Sequence, residues 1–260
     1  MSEFLETAIV AARMAGEFMK KRFGQAHRIE KKGEIDLVTD VDRESEEMIR
    51  RIIQQRFPDH RFRAEEGTEY SGQSPYLWLV DPLDGTTNYA HGFPFFCVSI
   101  ALMKENEIVA GCVYNPIILE LFTAEKGAGA FLNGSKISVS QTDTLGDSFL
   151  ATGFPYDIRD SKETNLREFA DFAVSARAIR RAGSAALDLA YVACGRFDGY
   201  WEMKLSPWDI SAGILLVEEA GGHVSDWLGQ KYEINQGIIL ASNGKIHEQM
   251  ARILAKARNS

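Results

Sequence analysis

The sequence predicts an α/β protein built on a mixed or antiparallel sheet. Three observations lead there: two helical apolar repeats near the start, a strand-rich stretch between Tyr76 and Thr123, and short strands alternating with helices from Phe149 onward. Phe4, Ala8, Ala11, Ala12, Ala15 and Met19 recur at helical spacing and give a helix from about Glu3 to Phe23. Met48, Ile49, Ile52, Ile53 and Phe57 give a second from about Asp42 to Phe57, ended by Pro58. Tyr76 to Val80 is a short apolar strand running into Asp81-Pro82-Leu83-Asp84-Gly85-Thr86-Thr87-Asn88, where acids and breakers together predict a turn that carries chemistry. Strands follow over Phe95 to Met103 and Ile108 to Tyr114, joined around Glu105-Asn106, and over Leu119 to Thr123, extended by a turn at Gly127. The second half reads as a strand at Phe149 to Thr152, a helix near Asn165 to Ala176, and a strand at Ile179 to Arg181. Gly183-Ser184 then precede a small-residue helix from Ala185 to Ala193, and Phe197 to Trp201 is a further strand. Pro207 opens a helix that Gly221-Gly222 stop. Ile238 to Ala241 is a last strand and Ile246 to Ala257 a closing helix.

Composition narrows the function. A net charge of -8 without a long basic run argues against a partner bound through a nucleic-acid backbone. Cys97, Cys112 and Cys194 form no CxxC pair and sit among apolar neighbours, which suits buried thiols in a reducing compartment. Glu3 and Glu6 come early and no long apolar run accompanies them, unlike a signal peptide, and no stretch reaches the roughly 20 apolar residues of a membrane span. The expectation is a cytoplasmic protein that makes no use of a membrane.

Asp81 and Asp84 lie three apart across a proline. Two close carboxylates repel unless a cation or a proton intervenes, and hard cations such as Mg2+ take oxygen ligands. The pair fits either a cation site or an Asp-capped surface turn. Gly85 allows close approach of a ligand. Thr86 fits a hydroxyl that orients water or a helix cap, with nearby N–H groups able to hold phosphate oxygens. Glu65 and Glu66 follow the short run Arg61 to Ala64, and if that run is a strand they point in different directions. Asp36, Asp40 and Asp42 are open in the same way, Asp42 also suiting a helix N-terminus. Asp209, after Pro207-Trp208, is either a dipole partner in the first turn of its helix or a ligand.

These residues resemble a known family. Trp78-Leu-Val-Asp-Pro-Leu-Asp-Gly-Thr-Thr-Asn88 and Trp208-Asp-Ile-Ser-Ala-Gly-Ile-Leu-Leu-Val-Glu-Glu-Ala-Gly-Gly222 are similar to the two long motifs of the inositol monophosphatase family, within the lithium-sensitive, magnesium-dependent phosphatases. Asp36-Leu-Val-Thr-Asp40 and Ala64-Glu-Glu-Gly67 add support. The resemblance spans nearly the whole chain. It implies a layered α-β-α-β-α sandwich, a single domain over 1–260 with a metal-binding lobe at about 1–145 and a second lobe at 146–260, and a homodimer. It also implies two or three Mg2+ ions held between the lobes by Glu65, Asp81, Asp84 and Asp209 with the Leu83 carbonyl. Thr86, working with Asp42, would activate water, Glu65 assisting through its metal contact. Gly85 and Thr86 donors would hold phosphate, Ala185 would line the substrate ring, and Glu202 would meet its hydroxyls. Lys31 suits steering of phosphate, the electrostatics of the metal loop, or an ordinary solvated lysine. Departures are Ala64 for the usual glycine, Gly67 for a common serine, Leu83 for isoleucine and Tyr89 for phenylalanine; no metal carboxylate is lost.

The implied reaction is hydrolysis of a small phosphate monoester, myo-inositol monophosphate foremost. Fructose 1,6-bisphosphate, histidinol phosphate and 3'-phosphoadenosine 5'-phosphate are the neighbouring substrates. Glu202 favours a polyol and would repel a second phosphate unless an arginine elsewhere compensates. A different class is a non-catalytic scaffold or RNA-process partner, against which the retained acids argue. His91 beside Gly92 suits either the site entrance or a loop or packing role; His27, His60, His223 and His247 show no ligand spacing, and Trp78 and Trp201 suit the core.

Overall fold

Ser2 accepts the Leu5 N–H and caps helix α1 (Glu3–Arg22), whose first turn is acidic and last turn basic, as the helix dipole favours. The computed structural model describes residues 1–25, 29–31 and 37–258. Strands β1 (Ile29–Lys31) and β2 (Leu37–Thr39) pair antiparallel, and Thr39 caps α2 (Asp40–Arg56) through a capping box with Asp42. That cap starts α2 two residues before the apolar period does.

Next come β3 (Arg61–Ala64), β4 (Glu69–Tyr70), β5 (Tyr76–Asp84) and the short helix α3 (Thr86–Ala90). Strands β6 (Cys97–Lys104), β7 (Glu107–Asn115), β8 (Glu120–Glu125), β9 (Gly129–Leu132) and β10 (Ser135–Lys136) complete an eight-stranded sheet in the order β10-β9-β8-β7-β6-β5-β3-β4. It is antiparallel except where β3 runs parallel to β5. The rest of the chain gives β11 (Phe149–Thr152), α4 (Leu166–Ala173), β12 (Ala178–Arg180), α5 (Ala185–Ala193), β13 (Gly199–Glu202), α6 (Pro207–Glu219), β14 (His223–Ser225), β15 (Ile239–Ser242) and α7 (His247–Arg258). Its five strands form a second, mixed sheet in the order β12-β11-β13-β15-β14. Strands β4 and β10, of two residues each, are too short to carry a readable period, which is why the sequence did not announce them.

The layers follow from which faces are apolar. Along β6, Val98, Ile100 and Leu102 pack with α1 and α2, while Cys97, Ala101 and Met103 pack with α5 and α6. Both faces are covered, so the strand reads as an unbroken apolar run although its neighbours are antiparallel. The middle cluster continues through Leu187, Leu189 and Ile214 to Tyr200 and Ala241 of the second sheet. A third cluster, with Trp201, Leu240, Met250 and Leu254, seals that sheet against α7. The result is the expected α-β-α-β-α sandwich. Among the described residues, no helix is long and apolar enough to cross a membrane.

Candidate active site

The Asp81–Asp84 segment is not the turn its breakers suggest; β5 continues through it. In a regular strand, residues three apart face opposite ways. Here Asp81 pairs with Ser99 and Asp84 with Cys97, so three steps along β5 match two along β6. This β-bulge holds Pro82, which has no N–H to give a ladder. The extra residue brings both carboxylates to the face covered by α5 and α6 and leaves Leu83 on the other, in the cluster under α1 and α2. Gly85 follows at φ 100°, a left-handed conformation only glycine adopts freely, and turns the chain into α3.

Several other elements converge on this face. Ala64 pairs with Val80, so Glu65 emerges beside Asp81, its N–H donating to the Val80 carbonyl at 3.2 Å. Ser99, the partner of Asp81, donates from Oγ to the Trp208 carbonyl at 3.2 Å and fixes the start of α6. Pro207 occupies the first turn of that helix and Asp209 its capping-box position. Glu65, Asp81, Asp84 and Asp209 line one cleft of about 310 Å³, together with Leu83, Gly85, Thr86, Ala185 and Glu202.

Hydrogen bonds orient each aspartate through one oxygen. Asp81 Oδ1 accepts the Leu83 N–H at 2.9 Å, and Asp209 Oδ2 accepts the Ser206 N–H at 2.7 Å. Asp84 Oδ2 accepts Ser184 Oγ–H at 2.6 Å and the Ala186 N–H at 2.7 Å, which places it at the N-terminus of α5. A carboxylate has roughly four acceptor sites, so each retains capacity for a cation. Asp42 Oδ2 accepts the Thr39 N–H at 2.9 Å while Oδ1 receives the Thr86 hydroxyl at 2.8 Å; the Leu83 carbonyl is an alternative acceptor for that hydroxyl at 3.0 Å. The residue that caps α2 therefore also holds Thr86.

Burial and mutual repulsion raise these acids. Burial, then the charges of Glu65, Asp84 and Asp209, drive Asp81 far above the ordinary aspartate range. Burial and the Glu65 and Asp84 charges do the same to Asp209. Burial lifts Asp84 to about 6 against the hydrogen bonds from Ser184 and Ala186, and lifts Asp42 to about 6 against those from Thr39 and Thr86. Among the described residues, no group of three or more histidine, cysteine, aspartate or glutamate side chains forms a ready metal cage. Mg2+ retains several waters and is bound through a few carboxylates, so an open, all-oxygen donor set whose members raise one another's pKa fits that ion.

The inositol monophosphatase family model matches residues 1–259. The chain belongs to that family. It is 45% identical to the inositol-1-monophosphatase of a Synechocystis strain, over 98% of this chain and 90% of that protein. It is 43% identical to the Nus factor SuhB of Vibrio cholerae, over 94% of this chain and 92% of the other. The crystal structure of the extragenic suppressor protein suhB from Bartonella henselae superposes with a TM-score of 0.94 at 43% identity, covering 98% of this chain and 99% of that one. Membership of the inositol monophosphatase family makes the protein a hydrolase.

Not every candidate joins the cleft. Asp40 pairs with Arg22 at 2.6 Å. The His91 ring bonds the Thr87 carbonyl at 2.8 Å on an exposed turn. Trp78 and Trp201 are buried, their indole N–H groups donating to His60 and Asn165. Asp36 lies outside the described residues, as does the Lys31 side chain.

Within this family fold the cleft also uses residues the sequence did not single out. Glu202 accepts the Tyr200 hydroxyl at 2.5 Å, and burial lifts its carboxyl to about 7 while Tyr200 and Arg181 pull it down. A Cβ at Gly153 would lie 2.1 Å from Glu202 Oε1, so any other residue would displace that carboxylate from its observed position. Arg181 and Lys204 line the cleft as cations, Lys204 bonded to Asp157 and Ser161 at 2.7 Å. The Gly183-Ser184 pair was visible as a helix start, but nothing local showed that Ser184 would serve Asp84, 100 residues away.

Proposed function

We propose that the protein is a Mg2+-dependent phosphatase that hydrolyses a small polyol or sugar phosphate monoester, with myo-inositol monophosphate the first candidate. One observation carries this: Glu65, Asp81, Asp84 and Asp209 share a cleft with Glu202, a buried acceptor suited to hydroxyls. The names of its relatives agree, inositol-1-monophosphatases among them. Bound Mg2+ supplies a polarised water and charge to steady the phosphoryl oxygens. Two or three such ions would be held by Glu65, Asp81, Asp84 and Asp209 with the Leu83 carbonyl.

The chain's own groups do the rest. The Gly85 and Thr86 N–H groups donate to phosphate oxygens. Water attacks phosphorus as Thr86 Oγ takes its proton and passes its own to Asp42 Oδ1; the bond to the alcohol oxygen breaks, and that oxygen leaves as the alcohol by taking a proton from a second water. A carboxyl lifted to about 6 is a better base near neutrality than an ordinary aspartate. Ala185 bounds the substrate ring, and Glu202 accepts from its hydroxyls. Arg181 is the compensating cation that keeps fructose 1,6-bisphosphate among the substrates to test. The likeness to a Nus factor supports an additional non-catalytic role but gives no reason to keep four site carboxylates. A homodimer in a reducing compartment completes the proposal, in keeping with three free cysteines.

Phosphate release from myo-inositol 1-phosphate, fructose 1,6-bisphosphate, histidinol phosphate and 3'-phosphoadenosine 5'-phosphate, each with Mg2+ and with EDTA, tests the proposal. Mg2+-dependent preference for the first supports it, and absence of turnover on all four overturns it. Glu202→Gln is expected to lower kcat/KM on the inositol ester about 10-fold or more, the worth of a charge-assisted hydrogen bond, while sparing an aryl phosphate. Equal losses on both would show that Glu202 supports the site and does not read the substrate.

A further inference from the structure

Helix α2 carries two buried acids on one face, Asp42 and Glu46, at 0% and 3% exposure. Like charges four apart destabilise a helix, and burying an acid costs more unless its oxygens are satisfied. Asp42 grips Thr86. Glu46 grips backbone: Oε2 accepts the Glu66 N–H at 2.8 Å and Oε1 the Thr68 N–H at 3.2 Å. These amides belong to the turn between β3 and β4, immediately after Glu65, and the turn is closed by the Ala64 N–H on the Thr68 carbonyl at 3.1 Å. One helix face thus anchors both the hydroxyl and the loop that meet at the cleft.

We infer that Glu46 is a positioning residue for Glu65, setting the affinity for the cation more than the rate once the cation is bound. The inference rests on the metal role proposed for Glu65. A carboxylate is the fitting side chain because both of its oxygens accept, and two N–H groups face them. Glutamine offers one acceptor and turns an NH2 toward the other amide.

Mg2+ titrations of the wild type, Glu46→Gln and Glu65→Gln, read by calorimetry and by phosphate release, test it, with amide hydrogen exchange in EDTA as a readout independent of activity. Glu46→Gln is expected to raise the Mg2+ half-saturation about 10-fold or more, as loss of a ligand's supporting contact does, with a smaller fall in kcat at saturating Mg2+. The Glu66 and Thr68 amides should exchange faster in the variant. Unchanged half-saturation in Glu46→Gln beside a clear defect in Glu65→Gln overturns the positioning role. Unchanged Mg2+ dependence in Glu65→Gln overturns the metal role and the inference with it. Should Glu46→Gln fail to fold, the wild type decides: protection of both amides by about 10-fold or more is required, and exchange at free-peptide rates overturns the inference.

Discussion

Asp84→Asn is expected to cut phosphate release by roughly a thousand-fold or more, about 4 kcal/mol of transition-state stabilisation, with the fold intact. The substitution removes a charge and little else. Asparagine Oδ1 still accepts the Ala186 N–H, and the Ser184 hydroxyl can rotate to meet either end of the amide. Because burial already holds this carboxyl at about 6, a neutral side chain of the same shape relieves a cost at neutral pH. Circular dichroism and melting temperature should therefore match or exceed the wild type while turnover collapses. Near-full activity at saturating Mg2+ would remove Asp84 from the cation site.

Without metal, the protein is expected to lose stability as pH rises from about 6.5 to 8.5, and Mg2+ should restore it. The sign comes from proton counting. Unfolded aspartate and glutamate titrate near 4, whereas Glu202 is lifted to about 7 in the fold and Asp81 and Asp209 are raised well above the usual range. Across this window the folded state holds more protons than the unfolded state, so stability falls with pH. The groups held below their ordinary values, His60, His247, Glu47, Glu107 and Asp147, work the other way, but lower down. His247, drawn to about 4 by burial, gains stability for the fold only up to the ordinary histidine value near 6.5. Glu47, drawn to about 2 by Arg50 and Arg51, acts below the ordinary glutamate value. Mg2+ at about 100 times its Kd adds about 2.7 kcal/mol, roughly 5–10 °C in a chain of this length. The gain should be larger at pH 8.5 than at pH 6.5, where protons compete for the same oxygens. Melting curves in EDTA and in Mg2+ at both pH values check this, and a midpoint that rises with pH in EDTA would contradict it.

Much of this was legible in the sequence because long helices and motif-length patterns carry their own signal. The helix Ala185–Ala193 and the strand Phe149–Thr152 fall where their residues place them. The acidic motif was recognisable as chemistry, yet its local shape was not. Breakers at Pro82 and Gly85 read as a turn, and only pairing with β6 shows a bulge that keeps Asp81 and Asp84 on one side. Gly153 and Arg181 escaped notice for a related reason. Each matters through Glu202, whose position beside them is set by the second sheet and not by neighbouring residues. Glu46 looked like one more polar residue on a charged helix until its two amide partners, 20 and 22 residues away, were in view.

The placement of the carboxylates has a consequence for synthesis. Glu65, Asp81 and Asp84 belong to the first half of the chain, but Asp209 opens a helix that comes more than 120 residues later and is pinned by Ser99 of the first sheet. A nascent chain that has just completed the large sheet possesses three of the four acids proposed as ligands and nothing to close the cleft over them. Only when α6 has emerged from the ribosome and docked can the full set gather. On the proposed metal role, cation capture would be deferred to the finished protein, and its binding energy would favour the completed fold over every shorter intermediate.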